Sequence, residues 1–352
     1  MWNEAGRYRL PDGARVVSGE GDRVRMNVDI PGDEHGFLGR QCPECRQVFR
    51  MSSQDYKTLP ENPSLWCVYC GHRDGHSHFL TEQQLARAKR AAADVGMQMV
   101  SQALGQAFKR PIRSRGSSMG SRRSSGVSVR MTYRSKPFFP APLPGITEEN
   151  LIRIRQCGGC QVRYAVFGEH RFCPVCGPLP PDVVALDALG AEVARLDAMA
   201  ELPPAAAATL REQGALTRLW VDTLENLVGV VETLAGAVFR AAVTDAEARL
   251  KGKGNIFQRL DPMADLFVDA GYDDLRTAVD AAIWQRLQQT WATRHVFTHN
   301  DGIVDDKYLA KAPAGNARLG QRLTLTEAEC RRAIADTTTL CDAITALSAP
   351  PR

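Results

Sequence analysis

A chain of 352 residues, 44 % of them hydrophobic, is long and apolar enough for two or three domains with packed cores, which sets aside a chain without a core. No apolar run approaches transmembrane length, and the opening MWNEAGRYRLPDG lacks a signal peptide's apolar stretch, so the expectation is a cytoplasmic protein with no membrane partner. The net charge of +4 hides an asymmetry: nine Lys/Arg and no acid lie between Asp94 and Glu148, leaving about −5 (4 minus 9) for the rest of the chain.

Residues 14–30 (ARVVSGEGDRVRMNVDI) read as two short strands around a Gly-containing turn, a base on which the first metal site would sit. That site is Cys42-Pro-Glu-Cys45, then 21 residues, then Cys67-Val-Tyr-Cys70-Gly71. A C-x2-C knuckle puts two thiolates on one tight turn, and two knuckles supply the four ligands of a tetrahedral Zn²⁺. These residues resemble a zinc ribbon or rubredoxin-like pair, a β-unit whose folding depends on ligation. With four cysteines closing the site, His72, His76 and His78 are expected in an exposed loop. The region spans 1–80.

Thr81 with Gln84 reads as a capping box opening a helix over 81–109, with Leu85, Ala88, Ala92, Val95 and Met99 on one face. Residues 110–150 hold a Ser/Arg-rich loop, an alternating strand from Val127 to Arg134, and the stiff spacer PFFPAPLPG. Arg110, Arg113, Arg115, Arg122, Arg123, Arg130 and Arg134 form a candidate nucleic-acid footprint, with contacts to backbone phosphate and little sequence preference; a solvated loop is the alternative.

The second metal motif, over 151–180, is Cys157-Gly-Gly-Cys160, twelve residues, then Cys173-Pro-Val-Cys176-Gly177, with QVRYAVFGEHRF between the knuckles as a hairpin turning at Gly168. Eight of the ten cysteines thus fall into four C-x2-C pairs, and matched pairs without a βαβ pattern favour two structural Zn²⁺ sites over redox use. Cys330 and Cys341 are expected in a helical core.

From 181 to 352 the chain reads as all-α. Val183, Leu186, Leu189, Val193, Leu196 and Ala200 make a narrow seam that either links ribbon to bundle or pairs with its copy. After Pro203-Pro204 a broad face carries Leu216, Leu219, Trp220, Leu224, Leu227, Val231, Leu234 and Val238. A shorter helix gathers Phe257, Leu260, Met263, Leu266 and Phe267. The next helix, capped at Asp273 or Asp274, carries Leu275, Val279, Ile283, Leu287 and Trp291 up to Arg294 and ends at Gly302. Thr326 to Glu329 forms a capping box for the last one. The fold class is therefore multidomain α+β: two small β zinc-ribbon modules followed by an all-α helix bundle.

At the end of the penultimate long helix stands Arg294-His295-Val296-Phe297-Thr298-His299. A guanidinium on a packing face can hold a phosphate through parallel donors, and a histidine can pass a proton near neutrality. As a purely structural pair, Arg294 would snorkel and His299 would cap the helix end. Arg-x4-His with a polar residue after the arginine, followed by NDGIVDDKYL, resembles the HEPN superfamily of prokaryotic ribonucleases over roughly residues 180–348. The resemblance implies a HEPN-like bundle and a homodimer in which two such motifs line one cleft. It further implies a metal-independent endoribonuclease of phage defence or toxin systems. Arg294 would bind the scissile phosphate, His299 would be acid or base, and His295 would support either.

Two alternatives stay open. One is a non-catalytic HEPN-like dimerisation scaffold whose ribbons bind RNA or a regulatory protein. The other, a DNA-binding regulator, is the weaker, because no helix-turn-helix with a basic recognition helix is visible.

Overall fold

The computed structural model describes residues 8–20, 23–109, 138–146, 153–312 and 317–347. The chain divides into two compact units, Met1–Phe167 with Cys173–Gly177, and Gly168–Phe172 with Pro178–Arg352. Small β-sheets make up much of the first, and helices the second. No helix among the described residues is long and apolar enough to cross a membrane.

In the first unit, β1 (Ala14–Glu20) and β2 (Arg23–Val28) pair antiparallel as expected. They form a sheet of their own and give no strand to either metal module. β3 (Phe37–Gln41) and β4 (Val48–Ser52) come next, then the short α1 (Ser53–Tyr56) and the hairpin β5 (Ser64–Trp66) with β6 (Arg73–Gly75). α2 (Glu82–Lys109) opens on the predicted capping box: the Gln84 side chain accepts from the Thr81 N–H and the Thr81 hydroxyl from the Gln84 N–H, both at 3.3 Å. Its Arg87 donates Nε to the Asp29 carbonyl just after β2 at 2.9 Å, so the first hairpin is tied to this helix.

β7 (Ile154–Gln156) and β8 (Arg163–Ala165) belong to the second cysteine motif, yet the sheet order is β3-β4-β8-β7. Arg50 pairs with Ala165 and Met51 with Tyr164. The two ribbons, separate modules by sequence spacing, share one antiparallel sheet. Phe49, Met51, Leu65, Phe79 and Tyr164 are almost wholly buried, with the Phe49 and Phe79 rings edge to face at 6.0 Å.

In the second unit, α3 (Pro181–Ala200) and α4 (Pro204–Glu212) each start on proline, whose fixed φ suits the first turn. α5 (Ala215–Ala242) is the central helix. It buries Leu224, Leu227, Val231, Leu234 and Val238, the broad face read from the sequence. α6 (Ala246–Leu250), α7 (Leu260–Asp269), α8 (Leu275–Ala278), α9 (Ala281–Asn300), α10 (Asp306–Lys311) and α11 (Glu327–Ala346) complete the unit. Cys330 and Cys341 lie buried in its core, where burial pushes both thiols up to about 12. The Thr326/Glu329 capping box of α11 is present.

In the second unit two expectations change. The α3 seam is split: Leu189 and Leu196 are buried with Ala185 and Glu192, while Val183, Leu186 and Val193 stay exposed. The 3.6-residue repeat rotates those three off the core side. The helix expected to run from Leu275 to Arg294 is broken at Val279-Asp280. Asp274 caps α8, and Asp280, in extended backbone, caps α9 by accepting from the Ala282 and Ile283 N–H groups at 2.8 and 3.3 Å. A side chain that can satisfy two orphan donors competes with the helix interior, so the apolar repeat passes through a break that it does not signal.

Candidate functional site

Each cysteine motif closes into one cluster in which all four sulfurs lie within 4.8 Å of one another. Cys42 and Cys70 stand 3.7 Å apart, Cys45 and Cys67 3.6 Å, Cys157 and Cys176 3.9 Å, Cys160 and Cys173 3.6 Å. A tetrahedron with metal–sulfur bonds of about 2.3 Å has edges of about 3.8 Å, so both donor sets fit a four-thiolate ion. In three knuckles the N–H of the residue after the second cysteine returns to the first cysteine's carbonyl: Arg46 to Cys42, Gly71 to Cys67, Gln161 to Cys157. After all four second cysteines the chain turns left-handed, at Arg46 (φ 63°), Gly71 (75°), Gln161 (62°) and Gly177 (87°). Arg46 and Gln161 hold this conformation without being glycine, at about 1 kcal/mol each.

The clusters are braced to each other within the first unit. The Trp66 N–H donates to the Pro174 carbonyl at 2.9 Å, and the Trp66 ring packs so tightly on Gly177 that a Cβ there would sit 2.9 Å from it. Tyr69 donates its hydroxyl to the Val48 carbonyl at 3.0 Å and accepts the Phe167 N–H at 2.8 Å. Of the three histidines expected in an exposed loop, only His78 is exposed. His76 is half-buried with Nδ1 2.6 Å from the Tyr56 hydroxyl, and burial, helped by the Arg40 charge, lowers its pKa.

Arg294, His295 and His299 all lie in the last turns of α9. The two imidazoles are four residues apart on one face, ring centroids 4.7 Å apart, and both are exposed. Although the ring is exposed, partial desolvation where it meets the helix, then the neighbouring His299 and Lys311, lower the His295 pKa against the opposing pull of Asp305; Arg294 adds a smaller push. Arg294 is half-buried, and its Nε is fully covered without a hydrogen-bond partner. Five helical steps carry Arg294 about 140° around the axis from His299, so a single α9 does not aim the two at one point. On the Arg294 side, the Thr298 hydroxyl lies 2.9 Å from both the Glu225 carboxylate and the Arg294 carbonyl.

The helix ends with Asp301 and Gly302 both left-handed, at φ 47° and 77°. Asn300 donates to the Ile303 carbonyl at 2.6 Å, and Asp301 accepts from Arg322 at 3.1 Å. These two side chains close the turn rather than orient an imidazole. Arg110, Arg113, Arg115, Arg122, Arg123, Arg130 and Arg134 lie outside the described residues. Sequence reading missed Glu225, which sits on α5 and meets α9 only through tertiary packing, where no local pattern marks it. Comparison with family models, curated proteins and solved structures yields no match for this chain.

Proposed function

We propose that the protein is a homodimeric, metal-independent endoribonuclease of HEPN type, cytoplasmic and acting in phage defence or a toxin-like system. In this reading two structural Zn²⁺ ions hold the ribbon sheet that recognises RNA or a regulatory partner. The observation that carries the catalytic part is one guanidinium and two adjacent imidazoles at a single helix end. Cleavage needs a base to take the ribose 2′-hydroxyl proton, a cation for the charge growing on phosphorus, and an acid for the leaving 5′-oxygen. The 2′-oxygen bonds to phosphorus, the bond to the 5′-oxygen breaks, and the products are a 2′,3′-cyclic phosphate and a 5′-hydroxyl.

His295, whose pKa is lowered, is suited to receive the proton, His299 to deliver one, and Arg294 to bind the phosphate. Because Arg294 and His299 diverge on one helix, a two-fold interface through the C-terminal bundle is what brings an arginine of one copy to a histidine of the other. Zinc is the natural ion for two closed four-thiolate sites. The basic segment around Arg110–Arg134 supplies phosphate contacts.

The divergence of Arg294 and His299 also favours a second reading, a non-catalytic scaffold that dimerises and binds RNA or protein. One experiment separates the two. Zinc-loaded protein is incubated with total RNA and tRNA without added magnesium, beside His299→Ala and His295→Ala, and RNA ends are mapped. Histidine-dependent fragments with 2′,3′-cyclic phosphate ends are expected. RNA bound but left intact by a dimer, equally in the variants, would move the assignment to the scaffold.

A further inference from the structure

A cleft of about 510 Å³ opens in the helical unit between α9, α11 and the segment 317–325. At Thr293 its wall reaches the residue before Arg294, but its charged group on α9 lies farther up the helix. Arg286, at its wall, is thirteen residues before His299, about 20 Å along the helix and about 140° around it. The Arg286 end is therefore a different place from the imidazole pair, and a ligand held there goes beyond the ribonuclease reading.

Arg286 is anchored from behind. Its Nε and Nη2 donate to the two Asp336 oxygens at 2.8 and 2.6 Å. The Asp336 side chain is 6 % exposed and that of Arg286 40 %. A buried carboxylate thus fixes a guanidinium that still has donors to spare, since a bidentate pair uses two of its five N–H groups. Arg332, one turn before Asp336 on α11, also lines the cleft; it is exposed and forms no ion pair among the described residues. Glu329, the other acid at the wall, accepts the Thr326 N–H and hydroxyl on one oxygen, at 2.9 and 2.8 Å, in the helix cap. The wall's formal charges balance, yet Arg332 is the cation with no ion-pair partner among the described residues.

The remaining wall is rich in neutral donors, with Gln289, Thr290, Thr293 and Gln321. The Gln321 side-chain oxygen Oε1 accepts the Arg318 N–H at 3.0 Å, leaving the side-chain amide hydrogens for a ligand. Tyr308, Leu323 and Leu325 give an apolar side. Two arginines from two helices with hydroxyl and amide donors between them suit the several oxygens of a phosphate better than a single carboxylate. The volume is far larger than a phosphate needs and suits a phosphate carrying a sugar and a base.

We propose that this cleft binds a nucleotide through its phosphate, held by Arg286 and Arg332. Asp336 is the positioning residue behind Arg286. The same chemistry serves a free mononucleotide or the phosphodiester of an RNA strand.

The test is titration calorimetry of the full, metal-loaded chain with 5′-AMP, adenosine and inorganic phosphate, and competition of 5′-AMP by a single-stranded RNA that lacks terminal phosphates. Saturable binding of 5′-AMP without binding of adenosine is expected. Arg332→Glu should weaken it roughly tenfold or more, and His299→Ala should leave it unchanged. Arg286→Ala would strand a buried charge and unfolds for that reason, so Arg286→Ala/Asp336→Ala is the second variant, expected to lose affinity while keeping its helical circular dichroism. Displacement by the RNA assigns the cleft to a strand; its absence assigns it to a free nucleotide. No binding of 5′-AMP, equal binding of adenosine, or full affinity in Arg332→Glu overturns the site. Cleavage is not read at any step, so failure of the nuclease reading leaves this result standing.

Discussion

Asp55 and Arg163, 108 residues apart in the chain, meet in a bidentate pair: the carboxylate accepts Nε, Nη2 and the backbone N–H of Arg163, each at 2.9 Å. Asp55 stands just after β4 and Arg163 opens β8, so the pair locks the register in which the two ribbons become one sheet. The Arg163 hydrogen bonds hold the Asp55 carboxyl below its ordinary range. A depressed carboxyl stabilises the fold above its unfolded pKa of about 3.9, and the contribution fades as pH falls through the folded value. At neutral pH, Asp55→Ala and Arg163→Ala are each expected to lower the thermal midpoint of the ribbon unit. The double variant should lose little more than either single, because both remove the same contact. Simple addition of the two losses in a double-mutant cycle would show that the pair is not coupled.

The shared sheet makes a prediction about metal removal. The eight cysteines should bind two equivalents of zinc, and cobalt substitution should give the visible bands of tetrahedral thiolate coordination. Because β4 and β8 join the two clusters, Cys67→Ser should loosen the Cys157–Cys176 site as well as its own, measured as faster loss of the second metal to a chelator. Unchanged release from the second site would mean that the ribbons fold independently. Most of the helical circular dichroism should survive chelation, since the helices of the second unit need no ion.

Gly302 controls the end of α9. It sits at φ 77°, and an added Cβ would lie 2.7 Å from the Phe297 ring. Gly302→Ala combines left-handed strain of about 1 kcal/mol with that clash, so the last turn carrying His299 must shift. Thermal stability should fall modestly, and any histidine-dependent RNA cleavage should fall further than stability does. Gly271→Ala, also left-handed at φ 90° but with open space around its Cβ, is the control for backbone strain alone.

Much of this architecture is readable from residue spacing, because metal knuckles, capping boxes and apolar repeats are local. Cys42 to Cys70 and Cys157 to Cys176 announce their clusters, and Thr326 with Glu329 announces α11. What spacing does not announce is pairing between distant pieces. Met51 against Tyr164, Glu225 against Thr298 and Arg286 against Asp336 are contacts between segments whose sequences carry no mark of each other. The same limit applies to facing. The seam on α3 counts every apolar residue alike, and only packing shows that Leu189 is buried and Val193 is not.

The imidazole pair gives a pH prediction that does not depend on activity. Partial desolvation and the neighbouring His299 hold His295 in its neutral form to lower pH than an ordinary imidazole. The ring signal of His295, followed by NMR, should therefore titrate below about 6.5. Removing the repelling neighbour in His299→Ala should move that midpoint upward. Removing Lys311 in Lys311→Ala should move it the same way, and Asp305→Asn, which deletes the opposing carboxylate, should move it down. The linkage has a definite sign: the folded chain binds this proton more weakly than the unfolded chain, so acidification through the ordinary imidazole range favours unfolding. His295→Gln should accordingly lose less stability than the parent between neutral pH and pH about 5, over which the unfolded imidazole protonates. A His295 midpoint that stays fixed in His299→Ala would mean that the two rings do not sense each other's charge, and their pairing as proton acceptor and donor would lose its physical basis.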